Sequence, residues 1–100
     1  MMNVQSFTPA IGGTLTYTTS GASQNQVLTV GANMQEILIQ NIGTATIFFR
    51  WGTSAQTAVT GTDCPVAPGA ILIATIGLAN NVAVIGATGS VVYVTPCEGH

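Results

Sequence analysis

Short runs of alternating apolar and polar residues recur along this chain, and nearly every run is closed by Gly, Asn or Pro. A period of two puts successive side chains on opposite faces of an extended strand, and regularly spaced runs bounded by turn residues are the pattern of a sandwich or small barrel. The pattern predicts about seven strands: Thr14–Thr18, Gln26–Val30, Glu36–Asn41, Ala45–Trp51, Ala70–Ile76, Val82–Ile85 and Ser90–Thr95. The predicted fold is all-β, a single antiparallel β-sandwich or small barrel with Greek-key or jelly-roll-like connections. Residues 1–12 carry no strand pattern and are expected to form an N-terminal arm, either packed on a neighbouring subunit or a loose end, with the β-sandwich domain over 13–100.

The segment from Glu36 to Trp51 permits a register argument. If Ile37 and Ile39 face the core, a hairpin through Ile42, Gly43 and Thr44 would bring Ile47, Phe49 and Trp51 onto the same face, since a one-residue slip would turn that face outward. That register buries Trp51, pairs Asn41 with Ala45 and sets Glu36 opposite Arg50 as a cross-strand ion pair on the outer face. Such an exposed pair is worth no more than about 1 kcal/mol. Val82–Ile85 and Ser90–Thr95 are expected to form a second hairpin around Gly86–Gly89. The polar stretch TSAQTAVTGTDCPVAPG is long enough to cross between sheets. Ala70–Ile76 is apolar on both faces, so one side is expected to meet the core and the other a partner chain.

Composition changes the picture most through charge. The chain has 100 residues, enough for one domain, and 47% of them are hydrophobic, which excludes disorder. Charged residues make up 4%, against about 25% in an ordinary soluble domain. With so little charge to keep copies apart, much of the surface is expected to be covered by neighbours. One Arg and no Lys leave no basis for nucleic-acid binding, which draws on several cationic side chains. No residue from Pro65 to Pro96 is charged, but Pro68, Gly69, Gly77, Asn80, Asn81, Gly86 and Gly89 cut that run into strand-length pieces. A membrane helix would need about 20 predominantly apolar residues, so none is expected. MMNVQSFTPA has neither a basic start nor an apolar core, so synthesis in the cytoplasm is expected.

Candidate chemistry is sparse. The single His is His100, the last residue, where nothing would fix its orientation for catalysis. Cys64 and Cys97, with Asp63 and His100, could in principle hold zinc, but they lack the closely spaced pairs of such sites. A Cys64–Cys97 disulfide is a further reading, since each lies beside a proline at an element boundary; cytoplasmic synthesis favours free thiols. GTGTDC and GATGS are turns between strands and not phosphate loops. No catalytic residue, metal, cofactor or small-molecule substrate is expected.

EILIQNIGTATIFFRWGTS, then DCPVAPGA, then VAVIGATGSVVYVTPCEGH together resemble a group of small β-sandwich virion proteins of tailed bacteriophages. In that group an apolar strand ending in an Asn-x-Gly turn precedes an aromatic strand closing on Gly-Thr, and a Pro-Gly turn and a final Val-rich hairpin ending in Glu-Gly follow. The resemblance covers Glu36 to Gly99 and rests on turns and strand patterns. It implies a head decoration, or cement, protein of the virion that bridges major capsid subunits and contacts copies of itself. Phe7, Leu38 and Phe48, the large apolar groups left after the core is assigned, are the expected contact residues. Two other classes fit the same residues: a tail or neck adaptor forming a ring, and a host-surface carbohydrate-binding module using Trp51, Tyr17 or Tyr93 as a stacking platform.

Overall fold

The computed structural model describes residues 7–9, 12–28 and 35–99. They form nine strands and no helix: β1 Phe7–Pro9, β2 Leu15–Thr18, β3 Gln24–Val27, β4 Glu36–Asn41, β5 Ile47–Gly52, β6 Cys64–Val66, β7 Ile71–Thr75, β8 Asn81–Gly86 and β9 Val91–Gly99. One sheet runs β2-β9-β4-β7, with β1 continuing the β2 edge along the far end of β9, and the other runs β3-β8-β5-β6. All pairings are antiparallel. Strands β2 to β9 thus make two four-stranded sheets in jelly-roll order, and β1 is a short addition. The pattern had not marked β1 or β6; three residues are too few to show a period. Thr29 and Val30 of the expected second strand, and residues 1–6, 10–11 and 100, lie outside the described residues.

The two expected hairpins are not hairpins. β4 and β5 lie in opposite sheets, as do β8 and β9. Ile37 and Ile39 do face Ile47 and Phe49, but across the core and not side by side. Alternation fixes which residues point inward; it does not say whether the chain folds back within one sheet or arches over to the other. The polar loop also behaves differently from expectation: β5 and β6 pair in one sheet, and the crossing comes after Val66.

Asn41 decides the β4–β5 crossing. Its side chain is fully buried at the end of β4. Its Nδ2 donates to the Ala45 and Val66 carbonyls, both at 2.9 Å, and its Oδ1 accepts from the Gly43 amide at 3.0 Å. One side chain therefore satisfies backbone groups that a turn inside the sandwich would otherwise leave unpaired. Gly43 is required for a second reason: a Cβ there would overlap Ser90 at the neighbouring β8–β9 crossing. That crossing is held by buried Thr19, whose hydroxyl accepts from the Ser90 amide at 3.0 Å and donates to the Ala87 carbonyl.

Between the sheets sit Tyr17, Ile37, Ile39, Ile47, Phe49, Val82, Val84, Val92 and Val94, all essentially inaccessible to solvent. Each large apolar side chain so buried contributes about 1.5–3 kcal/mol. Tyr17 spans the layers, its hydroxyl donating to the Val82 carbonyl of the opposite sheet at 2.6 Å. Burial pushes its phenol well above the ordinary range, against the smaller opposing effect of a backbone hydrogen bond from Gln26, so it stays a protonated donor.

Asn41→Ala is expected to cost about 2–3 kcal/mol in chemical denaturation, because buried carbonyls lose their donor. Asn41→Asp should cost more at neutral pH, since a carboxylate oxygen would face the Ala45 and Val66 carbonyls. Equal stability of wild type and both variants would remove Asn41 from this role.

Candidate interaction surfaces

The two outer faces of the sandwich differ. On the β3-β8-β5 face, Asn25, Ala83 and Arg50 stand in one cross-strand row. The 53–63 loop lies over that row: the Gln56 amide donates to Asn25 Oδ1 at 3.0 Å, the Ala58 amide to Ser23 Oγ at 2.8 Å, and Arg50 Nη1 to the Thr57 carbonyl at 3.5 Å. Ala58 of the loop and Ala83 of the sheet beneath it are both buried. The loop closes on itself through the Val59 amide, which donates to Asp63 Oδ2 at 2.7 Å.

This arrangement corrects the expected ion pair. Arg50 partners Asp63, at 3.9 Å, and not Glu36. Glu36 lies on the other sheet, opposite Thr75 and Cys97, and accepts a hydrogen bond from Thr75 Oγ1 at 3.3 Å. The error follows directly from the hairpin reading, which put two opposed sheets into one register.

Trp51 is a second correction. It shares the parity of Ile47 and Phe49 but stands at the end of β5, where the core runs out, and keeps 37% of its surface exposed. Its ring stacks on Phe49 with centroids 5.6 Å apart and planes 30° from parallel. Phe49, Arg50, Trp51, Thr62, Asp63 and Cys64 line an open depression of about 300 Å³ beside it. An aromatic face is thus placed next to a guanidinium, a carboxylate and a hydroxyl. Of the other aromatics, Tyr17 is buried in the core and Tyr93 is half-buried.

The outer face of the β9-β4-β7 sheet has no such roof among the described residues. Leu38 points outward between Thr95 of β9 and Ile73 of β7, and is half-buried by them. Ile71 and Ile73 share that face with 62% and 40% of their surfaces exposed, and Leu72, on the inner face at the sheet edge, keeps 37%. Phe48, on the opposite side of the molecule, is half-buried between Pro65 and Ile85. The backbone of Phe7 lies in β1 opposite Gly99; its side chain is outside what is described. The structure therefore separates the three expected contact residues: Leu38 joins the β7 surface, and Phe48 sits on the other sheet. The residue pattern of β7 is apolar on both faces, which does not by itself rank it above Phe48. Its edge position was the missing information.

Cys64 and Cys97 are both free. Cys64 is exposed in β6, while Cys97 is buried in β9 on the other sheet, so the disulfide reading is not realised. Burial raises the Cys97 thiol above its ordinary value, and the nearby Glu36 carboxylate adds to the effect. Among the described residues no three His, Cys, Asp or Glu side chains cluster as a metal site would require, and no helix is long and apolar enough to cross a membrane.

No protein-family model matches the chain, and a search of curated proteins finds no significant match.

In the native protein a thiol reagent is expected to modify Cys64 promptly and Cys97 only after denaturation. Two equally fast thiols, or none, would contradict the exposure of Cys64 and the burial of Cys97.

Proposed function

We propose that this chain is a structural subunit of a repetitive assembly, a virion decoration protein that sits between major capsid subunits of a bacteriophage head. The observation that carries this reading is the exposed apolar surface of β7, where Ile71 and Ile73 stand beside Leu38 on an outer sheet face with Glu36 as its one charged neighbour on β4, on a chain with 4% charged residues. A contiguous apolar surface of this kind marks an interaction site more often than it occurs on a free monomer. Burying it across seams between subunits would raise the free energy of separating them, and repetition over a closed shell multiplies each contact. The resemblance of Glu36 to Gly99 to small phage virion proteins points the same way. So does the jelly roll, which capsid proteins use repeatedly, although the fold alone does not assign a role.

A second reading is favoured by Trp51. Its exposed ring, next to Arg50, Thr62 and Asp63, offers the combination of a stacking face and polar groups that a saccharide requires. Jelly rolls also serve as lectins. In this reading the chain is a carbohydrate-binding module.

Two measurements separate these readings. Quantified protein bands from purified particles should give hundreds of copies of a decoration protein; six or twelve copies would indicate a neck or tail ring, and absence from particles would overturn both assembly roles. Trp51 is the single tryptophan, so its fluorescence reports on the depression alone. A saturable change on titration with mono- and oligosaccharides, lost in Asp63→Ala, would support the second reading; an unresponsive spectrum across a panel of sugars would overturn it.

A further inference from the structure

We propose that β7 pairs with β7 of a second copy, antiparallel across a two-fold axis at Ile73, so that the β7-bearing sheets of two chains join into one continuous sheet. The pairing goes beyond the assembly reading above: it would supply one contact within such an assembly, but it follows from the sheet edge alone.

The argument starts from backbone groups. At the ends of β7 the Asn41 amide donates to the Ala70 carbonyl at 3.1 Å, and the Ile76 amide donates to the Gln35 carbonyl at 2.8 Å. In an antiparallel ladder, residues alternate between pointing their N–H and C=O at one neighbour and pointing them away. Positions 70, 72, 74 and 76 therefore face β4. Ile71, Ile73 and Thr75 aim theirs at the open edge, where no strand pairs with them among the described residues.

Exposed sheet edges are usually blunted by proline, by charge or by cover. Three of the edges here are. β6 carries Pro65 and β1 carries Pro9. The β2 and β3 edges are tied to each other: Gln24 Nε2 donates to the Thr18 carbonyl at 2.6 Å and Gln26 Nε2 to the Thr16 carbonyl at 2.8 Å. β7, with the sequence ILIAT, has neither proline nor charge.

A second copy suits this edge because β7 complements itself. A two-fold axis at Ile73 sets Ile73 against Ile73 and Ile71 against Thr75, so every outward-pointing backbone group meets another of the right parity without a slip. On the outer face this makes a β-branched pair at the axis, a favourable cross-strand neighbour. On the inner face Leu72, still partly exposed, comes to lie beside the small, half-buried Ala74 of the other copy. No like charges are brought into the new strand pair, since Glu36, opposite Thr75, stands one strand back.

Native mass spectrometry and light scattering on the intact chain test this. Wild type is expected to be dimeric at micromolar concentration. Ile73→Pro removes an N–H that the chain itself does not use, and Ile73→Lys sets two charges together at the axis; each should weaken the dimer at least about tenfold while circular dichroism stays unchanged. If both variants lose their fold, cysteine pairing decides. In a Cys64→Ser background, with Cys97 buried, Ile73→Cys should oxidise to a self-linked dimer, whereas Thr75→Cys should link only to an Ile71→Cys chain. A wild type that stays monomeric at millimolar concentration, a dimer indifferent to both Ile73 variants, or a Thr75→Cys chain that links to itself would overturn the proposal. High copy number in particles with a monomeric free protein would sink the pairing and leave the assembly reading standing; a dimer absent from particles would do the reverse.

Discussion

The fold depends on carrying the chain from one sheet to the other in a few residues without stranding backbone polar groups between the layers. Asn41 meets that requirement at the β4–β5 crossing by acting as donor to two carbonyls and acceptor from one amide. It also links three otherwise separate pieces: the end of β4, the loop before β5 and the last residue of β6. Replacing the Asn41 amide by an apolar or acidic side chain would leave both carbonyls without this donor, and an unpaired buried polar group costs about as much as a well-packed side chain contributes. The neighbouring crossing shows the same logic with Thr19, and Gly43 and Ser90 bring the two crossings into contact.

This constraint also explains what could be read from the residues and what could not. The alternation of Ile37 and Ile39, and of Ile47 and Phe49, marks the inward positions correctly, because a strand buried on one face must repeat every second residue. The all-β class and the two-layer core follow from that. The partner of each strand does not follow, because a tight turn within a sheet and an arch between sheets leave the same alternating signature on either side. In a jelly roll most consecutive strands lie in opposite sheets, so a preference for local pairing misleads repeatedly. The Glu36–Arg50 pair failed for this reason, whereas Trp51 has the inward parity but stands past the end of the core. Asn41 was present as a signal: an Asn followed by Gly two residues on suggests a turn, but its burial and its reach to Val66 are tertiary facts.

The same topology explains why the two outer faces differ. The longest connection, residues 53–63, joins two strands of one sheet, so it has no core to cross and folds back over the sheet it belongs to. Asn25, Ser23 and Arg50 hold it there. The single basic side chain is thus spent within the molecule, bracing the loop that covers Ala83. Among the described residues the other sheet has no comparable cover. Sequence could place the polar loop but not say which sheet it would roof, and so could not say which apolar residues would remain outside.

Low charge takes on a different meaning once the faces are distinguished. A chain with four charged residues in 100 has few means of blunting a sheet edge, and the ones it has are placed elsewhere. Arg50 and Asp63 serve the loop, Glu36 stands on the central strand β4, bonded to Thr75, and Glu98 lies in β9 opposite Thr8. Proline guards β6 and β1, and two glutamines close β2 against β3. Among the described residues β7 is left apolar on both faces with its outward backbone groups open. Where three edges carry a device against pairing and the fourth carries none, the fourth is best explained as a place where pairing occurs. That inference does not depend on whether the assembly is a shell, a ring or a simple dimer, because it comes from the edge itself.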